Sequence, residues 1–168
     1  MSNRNERIME EFNKLKNSKS IHILKCEFIN GDINNWYVAF AGSPTTVYED
    51  GIFKVRVNLP DNFPKEKPNL FFITKMFHPN INSKNGAVSL NIIKPHNWVE
   101  TRTMQDVFFG LLDIMENPTN MGGGEEAGKL LIQNREKFFD KVLEYVDKYA
   151  MEDPWIIVYK IYLFNKSL

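Results

Sequence analysis

Ile8, Phe12 and Leu15 recur at i, i+4 and i+7, with mixed charges on the other faces, which predicts a helix over residues 4–17. The period then changes. Residues 21–28 form a largely apolar extended run, Asn30-Gly31-Asp32 is a turn, and 36–41 is a second extended run ended by Gly42-Ser43-Pro44. Over 52–59, Phe53, Val55, Val57 and Leu59 alternate with Lys54, Arg56 and Asn58. Strict alternation predicts a strand with one wet face, which favours antiparallel pairing. Pro60, Pro64 and Pro68 then exclude regular structure until a short fourth strand over 70–73.

Residues 77–100 carry little periodicity and hold Pro79, Gly86, Pro95 and Trp98. Long irregular segments inside compact domains are usually functional. Helical spacing returns afterwards. Thr103 is a cap with Asp106 three residues on, and Met104, Val107, Phe108, Leu111, Leu112 and Met115 form an apolar stripe over 103–115. Asn117-Pro118 ends that helix, and Gly122-Gly123-Gly124 reads as a hinge. Two more helices follow, near 125–133 and 135–149, the last with Phe138, Val142, Tyr145 and Tyr149 on one side. A helix, four strands, an irregular segment and three helices predict an α+β fold built on an antiparallel meander. The division expected is a core domain over 1–150 and an apolar extension over 151–168. Nine of the ten residues from Trp155 to Phe164 are apolar, a run short of the roughly 20 residues a membrane-spanning helix needs.

Charge narrows the partners. Lys plus Arg and Asp plus Glu both number 21, so the net charge is zero. This argues against a nucleic-acid partner, whose affinity rests on clustered positive charge. One cysteine, Cys26, excludes an internal disulfide and a cysteine metal cluster, and His22, His78 and His96 lack ligand spacing. No metal or other cofactor is expected. A charged N-terminal stretch without an apolar leader predicts an intracellular protein, cytoplasmic or nuclear.

Several words in the middle of the chain are specific. They are Tyr48-Glu-Asp-Gly51-Ile-Phe53, Leu59-Pro60-x-x-Phe63-Pro64-x-x-x-Pro68, His78-Pro79-Asn80-Ile81, Gly86-x-Val88-Ser89-Leu90 and Trp98, with Asn117-Pro118 and Ala127 further on. Together they resemble the ubiquitin-conjugating enzyme family, over roughly residues 4–150. The resemblance implies the fold of that family. It also implies its reaction: a modifier, ubiquitin or a ubiquitin-like protein, arrives from an ATP-dependent activating enzyme as a thioester and passes to a substrate lysine, often with a ligase as third partner.

One departure governs the chemistry. Catalysing members have cysteine where this chain has Ser89. A thiol is partly ionised near neutral pH and leaves well; a serine hydroxyl needs an adjacent base, and no base is evident beside Ser89. A serine-hydrolase reading is set aside because there is no GxSxG elbow and no triad. Two readings of Ser89 stay open. One is an engineered cysteine-to-serine change in an active parent enzyme. The other is a natural non-catalytic variant that binds ubiquitin or another partner. The intact His78-Pro79-Asn80 favours the first, because the family's asparagine supports the oxyanion of transfer, a role of the kind worth about 3 kcal/mol.

The resemblance assigns further roles. His78 is structural and Asn80 supports the oxyanion. Asn91 stands where many members have Asp. Asn120 falls where many members have an acidic residue that helps deprotonate the incoming lysine, a task an amide cannot perform. Met121-Gly122-Gly123 replaces Pro-Leu-Asn, which predicts a looser loop. Gln105, Phe109 and Asp113, spaced four apart on helix 103–115, are the expected modifier-binding face, with Phe109 at least partly exposed. Lys65, Trp98 and Glu100 are candidate ligase contacts. Arg4, Arg7 and Lys14 fall on one side of the first helix and are candidate contacts for the activating enzyme. Ser89-Leu-Asn-Ile and the Trp98-x-x-Thr-Arg-Thr word resemble the neddylation branch. The nine positions from Asn80 to Ser89 and Tyr145–Ala150 resemble ubiquitin carriers, and ubiquitin is the modifier favoured.

Overall fold

The computed structural model describes residues 3–119 and 125–151, with Pro154 and Val158 beyond them. Helix α1 (Arg4–Lys16) precedes strands β1 (Ile23–Ile29), β2 (Asp32–Ala41), β3 (Ile52–Asn58) and β4 (Asn69–Phe72). A single 3-10 turn at Asn91–Ile93 follows, then α2 (Met104–Glu116), α3 (Glu125–Gln133) and α4 (Arg135–Tyr149). The strands lie in the order β1-β2-β3-β4, every pair antiparallel. This is the α+β meander that the alternation predicts. Strand β2 starts four residues before the apolar run does. The tight turn at Asn30 and Gly31 sets Ile29 directly opposite Asp32, so backbone pairing begins before side-chain burial does.

The inward face of the sheet meets the helices through aromatic rings. Phe40 lies 6.0 Å from Phe53, 6.3 Å from Phe72 and 5.9 Å from Phe108 of α2, centroid to centroid. Phe12 of α1 packs on Phe28 and Trp36 at 4.0 and 5.4 Å, and Phe138 of α4 packs on Phe77 at 5.9 Å. All but the partly buried Phe28 are buried side chains of large apolar area, and such pairs add to what burial alone contributes.

The segment after β4 is less irregular than its sequence. Val88 N–H donates to the Leu70 carbonyl at 3.1 Å, and Phe72 N–H donates to the Gly86 carbonyl at 2.8 Å. Gly86 has φ +75°, and a Cβ there would lie 2.1 Å from the Phe72 carbonyl oxygen, so only glycine fits. Residues 86–88 thereby run along the far side of β4 and deliver residue 89 to the end of the sheet.

Helices α1 and α2 are joined by a buried carboxylate. Glu11 is 1% exposed. Its Oε2 accepts the Met104 N–H at 2.7 Å and its Oε1 accepts Nε–H of Arg7 at 2.9 Å. Arg7 Nη2 also donates to the Arg102 carbonyl at 3.0 Å. Thr103 caps α2 and Asp106 returns a bond to the Thr103 N–H. A negative group from another helix thus satisfies one of the unpaired amides of the first turn of α2. Among the described residues, no helix is long and apolar enough to cross a membrane, and no cluster of His, Cys, Asp and Glu is placed to hold a metal.

Glu11→Ala is expected to lower unfolding stability by about 3 kcal/mol or more, the cost of leaving one partner of a buried pair alone. Urea denaturation followed by tryptophan fluorescence measures it. Glu11→Gln keeps an acceptor for Met104 and is expected to lose less.

Candidate functional site

The site is assembled from a turn, a strand-like segment and the end of a helix. His78 is 1% exposed. Its Nδ1 accepts the Asn80 N–H at 3.0 Å, which leaves Nε2 to carry the proton and donate to the Ile114 carbonyl of α2 at 2.8 Å. Burial pushes its pKa down to about 4, against a smaller opposing effect of the Ile114 bond. The ring is therefore neutral, with both nitrogens engaged, and cannot act as a general base.

Asn80, also 1% exposed, is bonded at both ends of its amide. Nδ2 donates to the Ser89 carbonyl and to Thr119 Oγ1, both at 3.3 Å, while Oδ1 accepts the Thr119 N–H at 3.3 Å. In the other direction Ser89 N–H donates to the Asn80 carbonyl at 2.7 Å. Position 89 is thus clasped by its backbone from both sides. The Ser89 hydroxyl takes part in no hydrogen bond among the described residues, and the side chain is half-buried. Thr119, which no local pattern in the sequence marks, is the partner that holds Asn80.

Helix α2 runs beside this clasp. A Cβ on Gly110 would lie 3.1 Å from Ile92 Cδ1 and 3.2 Å from Leu90 Cδ2, so the absent side chain lets the helix approach residues 89–93 closely. Phe109, next to it, is 44% exposed. Phe109 and Asp113 line one open cleft of about 380 Å³ with His22, Pro44 and Glu116. Asp113 is exposed and accepts from Asn117 Nδ2 at 3.2 Å. Gln105 stands apart: its Nε2 donates to the Lys14 carbonyl at 3.3 Å, at the junction with α1.

Of the two other candidate groups, the ligase contacts are partly drawn together and the α1 contacts are dispersed. Lys65 and Trp98 line a cleft of about 350 Å³ with Pro60 and Pro95. Trp98 Nε1 donates to the Pro64 carbonyl at 2.8 Å, which fixes the indole as one wall. Glu100 is exposed two residues further on. On α1, Arg4 Nη2 donates to Asn34 Oδ1 at 2.7 Å and to the Pro60 carbonyl at 2.8 Å, and Arg7 is held by Glu11. Lys14 is exposed. The two guanidiniums are turned into the fold because their positions face loops of the sheet and the start of α2. Asn120 and the glycines at 122–124 lie outside the described residues, as does most of the 151–168 extension. Cys26 is buried in β1, and desolvation pushes its thiol up to about 12, so it offers no second nucleophile.

Comparison with known proteins shows the family and the fold. The ubiquitin-conjugating enzyme family model matches residues 7–146. Over 129 residues the chain is 36% identical to ubiquitin-conjugating enzyme E2 5 of Arabidopsis thaliana, an alignment covering 75% of this chain and 69% of that protein. It is 31% identical over 150 residues to ubiquitin-conjugating enzyme E2 1 of Schizosaccharomyces pombe, covering 88% and 68%. The E2 domain of a Toxoplasma gondii ubiquitin-conjugating enzyme superposes with a TM-score of 0.79 at 26% identity, over 88% of this chain and 99% of that one. The chain belongs to the ubiquitin-conjugating enzyme family, a family of transferases.

The buried imidazole gives a pH test. Its folded pKa of about 4 lies below the ordinary value of 6.5, so the unfolded state binds more protons between those values. Stability is therefore expected to be full above pH 6.5 and to fall as the pH drops toward 4, by about 3 kcal/mol over the window. Urea midpoints measured from pH 7.5 to 4 check it. His78→Gln should be less stable at pH 7 and lose this one-proton slope.

Proposed function

We propose that this chain is a carrier of ubiquitin, or of a ubiquitin-like modifier, whose transfer site keeps the frame made by His78, Asn80 and Thr119 and is altered in its nucleophile. The observation that supports this reading is the two-way clasp of Ser89 by Asn80, made through the backbone of residue 89 alone. A sulfur in place of the hydroxyl oxygen would disturb none of those bonds. With cysteine at 89, the thiolate attacks the carbonyl of the modifier's thioester with the activating enzyme, whose thiolate leaves as the new thioester forms; a lysine amine later attacks that carbonyl, loses its proton and expels the cysteine thiolate as the amide forms. With serine, no base among the described residues bonds the hydroxyl to take its proton, and any ester that forms discharges slowly.

In this reading Asn80 donates to the oxyanion as transfer proceeds. Phe109 and Asp113 hold the donor modifier beside residue 89, a restriction of orientation that speeds transfer by positioning. Lys65, Trp98 and Glu100 form the ligase contact, and Asn120 limits how well an incoming lysine is deprotonated. Of the α1 residues read as the contact for the activating enzyme, exposed Lys14 is the accessible one, since the Arg4 and Arg7 guanidiniums are bonded within the fold. The change at 89 is read as an engineered substitution in an active parent enzyme.

A second reading draws on a specific observation. Both amide hydrogens of Asn80 are already bonded, to Ser89 and to Thr119. An asparagine engaged in this way has a structural reason to persist without chemistry, as a natural non-catalytic binding module would require.

Ser89→Cys, supplied with activating enzyme, ATP and ubiquitin, is expected to form an adduct that reducing agent removes on a gel, while the serine chain gives at most a slow, thiol-resistant one. Failure of the cysteine chain to charge with any modifier would leave the binding-module reading in its place. In the Ser89→Cys background, Phe109→Ala is expected to charge almost normally and to discharge to free lysine about tenfold more slowly, equivalent to about 1.4 kcal/mol. Equal discharge rates would make Phe109 a packing residue.

A further inference from the structure

The word from Trp98 to Thr103 contains an arginine that the transfer site leaves unused. Arg102 stands one residue before the cap of α2, and its backbone is fixed twice. Its N–H donates to the Val99 carbonyl at 3.0 Å, and its carbonyl accepts Nη2–H of Arg7 at 3.0 Å. Its guanidinium reaches back ten residues, where Nη1 donates to the Ile92 carbonyl at 2.8 Å. Ile92 belongs to the 3-10 turn that follows Ser89.

A proline explains why that carbonyl takes a side chain as its partner. Bonds in such a turn run from each N–H to the carbonyl three residues before it. Ile93 N–H donates to the Leu90 carbonyl at 3.1 Å, and Lys94 N–H to the Asn91 carbonyl at 3.2 Å. The next bond in the series would run from residue 95 to the Ile92 carbonyl, and Pro95 has no N–H to give. That carbonyl lies partly buried, where a missing partner is costly. Arg102 supplies the donor, and its charge makes the bond stronger than a neutral one. Packing sets the other side of the turn. Ile92 Cδ1 and Leu90 Cδ2 lie 3.1 and 3.2 Å from where a Cβ on Gly110 of α2 would stand. That contact stops the turn from moving into the helix, but not from sliding along it or leaving it. A directional bond does both.

We propose that Arg102 is a positioning residue for transfer: by holding the Ile92 carbonyl it fixes the turn from Leu90 to Ile93, and with it the direction in which the side chain of residue 89 projects. The part that concerns transfer rests on the carrier reading above. Asn80 clasps residue 89 through its own amide and carbonyl, and Arg102 holds the backbone that leaves it. The line of bonds continues to α1, since Arg7 holds the Arg102 carbonyl and is itself held by Glu11 at 2.9 Å. Placement matters because a misplacement of about 1 Å at a reacting group can cost on the order of a hundredfold in rate. Residue 89 attacks in charging and is the leaving group in discharge, so Arg102 affects both steps.

Hydrogen exchange on the serine chain tests the placement without any modifier. Arg102→Met keeps the alkyl stem and removes the donors. In it the Ser89 and Ile93 amides are expected to exchange about tenfold faster or more, while amides of the β2–β3 ladder keep their rates. Unchanged rates at 89 and 93 would overturn the proposal. So would equal acceleration in the ladder, which marks a general loss of stability. In the Ser89→Cys background, kcat is expected to fall about tenfold for charging and for discharge to free lysine alike, with KM for the activating enzyme unchanged. Arg102→Lys, which keeps a charged donor, should recover most of both rates. A loss in discharge alone, a raised KM, or no recovery with lysine would overturn the role in transfer. If the cysteine chain never charges, the carrier reading falls, and exchange at Ser89 decides whether Arg102 places residue 89.

Discussion

An uncharged imidazole, buried at His78, joins the turn that carries Asn80 to the last turn of α2. It does so because a neutral histidine has one donor and one acceptor, and here each has a single backbone partner. Protonation would turn the acceptor at Nδ1 into a second donor facing the Asn80 amide. The arrangement therefore depends on the ring staying dry, and the dryness depends in turn on α2 lying close. At the other end of the same helix, the Glu11 carboxylate holds the first turn. Helix α2 is consequently fixed at both termini by side chains from distant segments, and its middle, at Gly110, lies against the residues that follow Ser89.

This division of labour separates frame from chemistry. Bonds to residue 89 run through its amide and carbonyl, while its hydroxyl makes none among the described residues. A change of one atom in the side chain can then abolish a reaction without moving the walls around it. The consequence for reading such a site is that intact geometry carries information about binding and orientation, and the identity of the single nucleophilic atom carries the information about turnover.

Much of the architecture is legible in the residues themselves. The alternation over 52–59 gives β3, the stripe from Met104 to Met115 gives α2, and Thr103 with Asp106 gives its cap. The words around His78 and Ser89 mark the candidate site. What escapes local reading is whatever depends on pairs far apart in the chain. Nothing near Thr119 announces that it grips Asn80, 39 residues earlier. Arg4 and Arg7 read as an outward basic face because the helical wheel cannot show that Asn34, Pro60 and Arg102 offer acceptors on that side. Residues 86–88 look irregular because their partners are the backbone of β4, to which composition is blind.

The reach of Glu11 also bears on how the chain is made. Its carboxylate bonds an amide 93 residues further on. At translation rates of about 5–20 residues per second, that partner emerges roughly 5–19 seconds after the carboxylate itself. Until then α1 presents an amphipathic surface, Ile8, Phe12 and Leu15 included, with an acidic group in its midst that has nothing to bond but water and Arg7. The helix that comes first in the sequence is thus completed late, and a nascent chain stopped before Met104 lacks the contact that allows Glu11 to be buried.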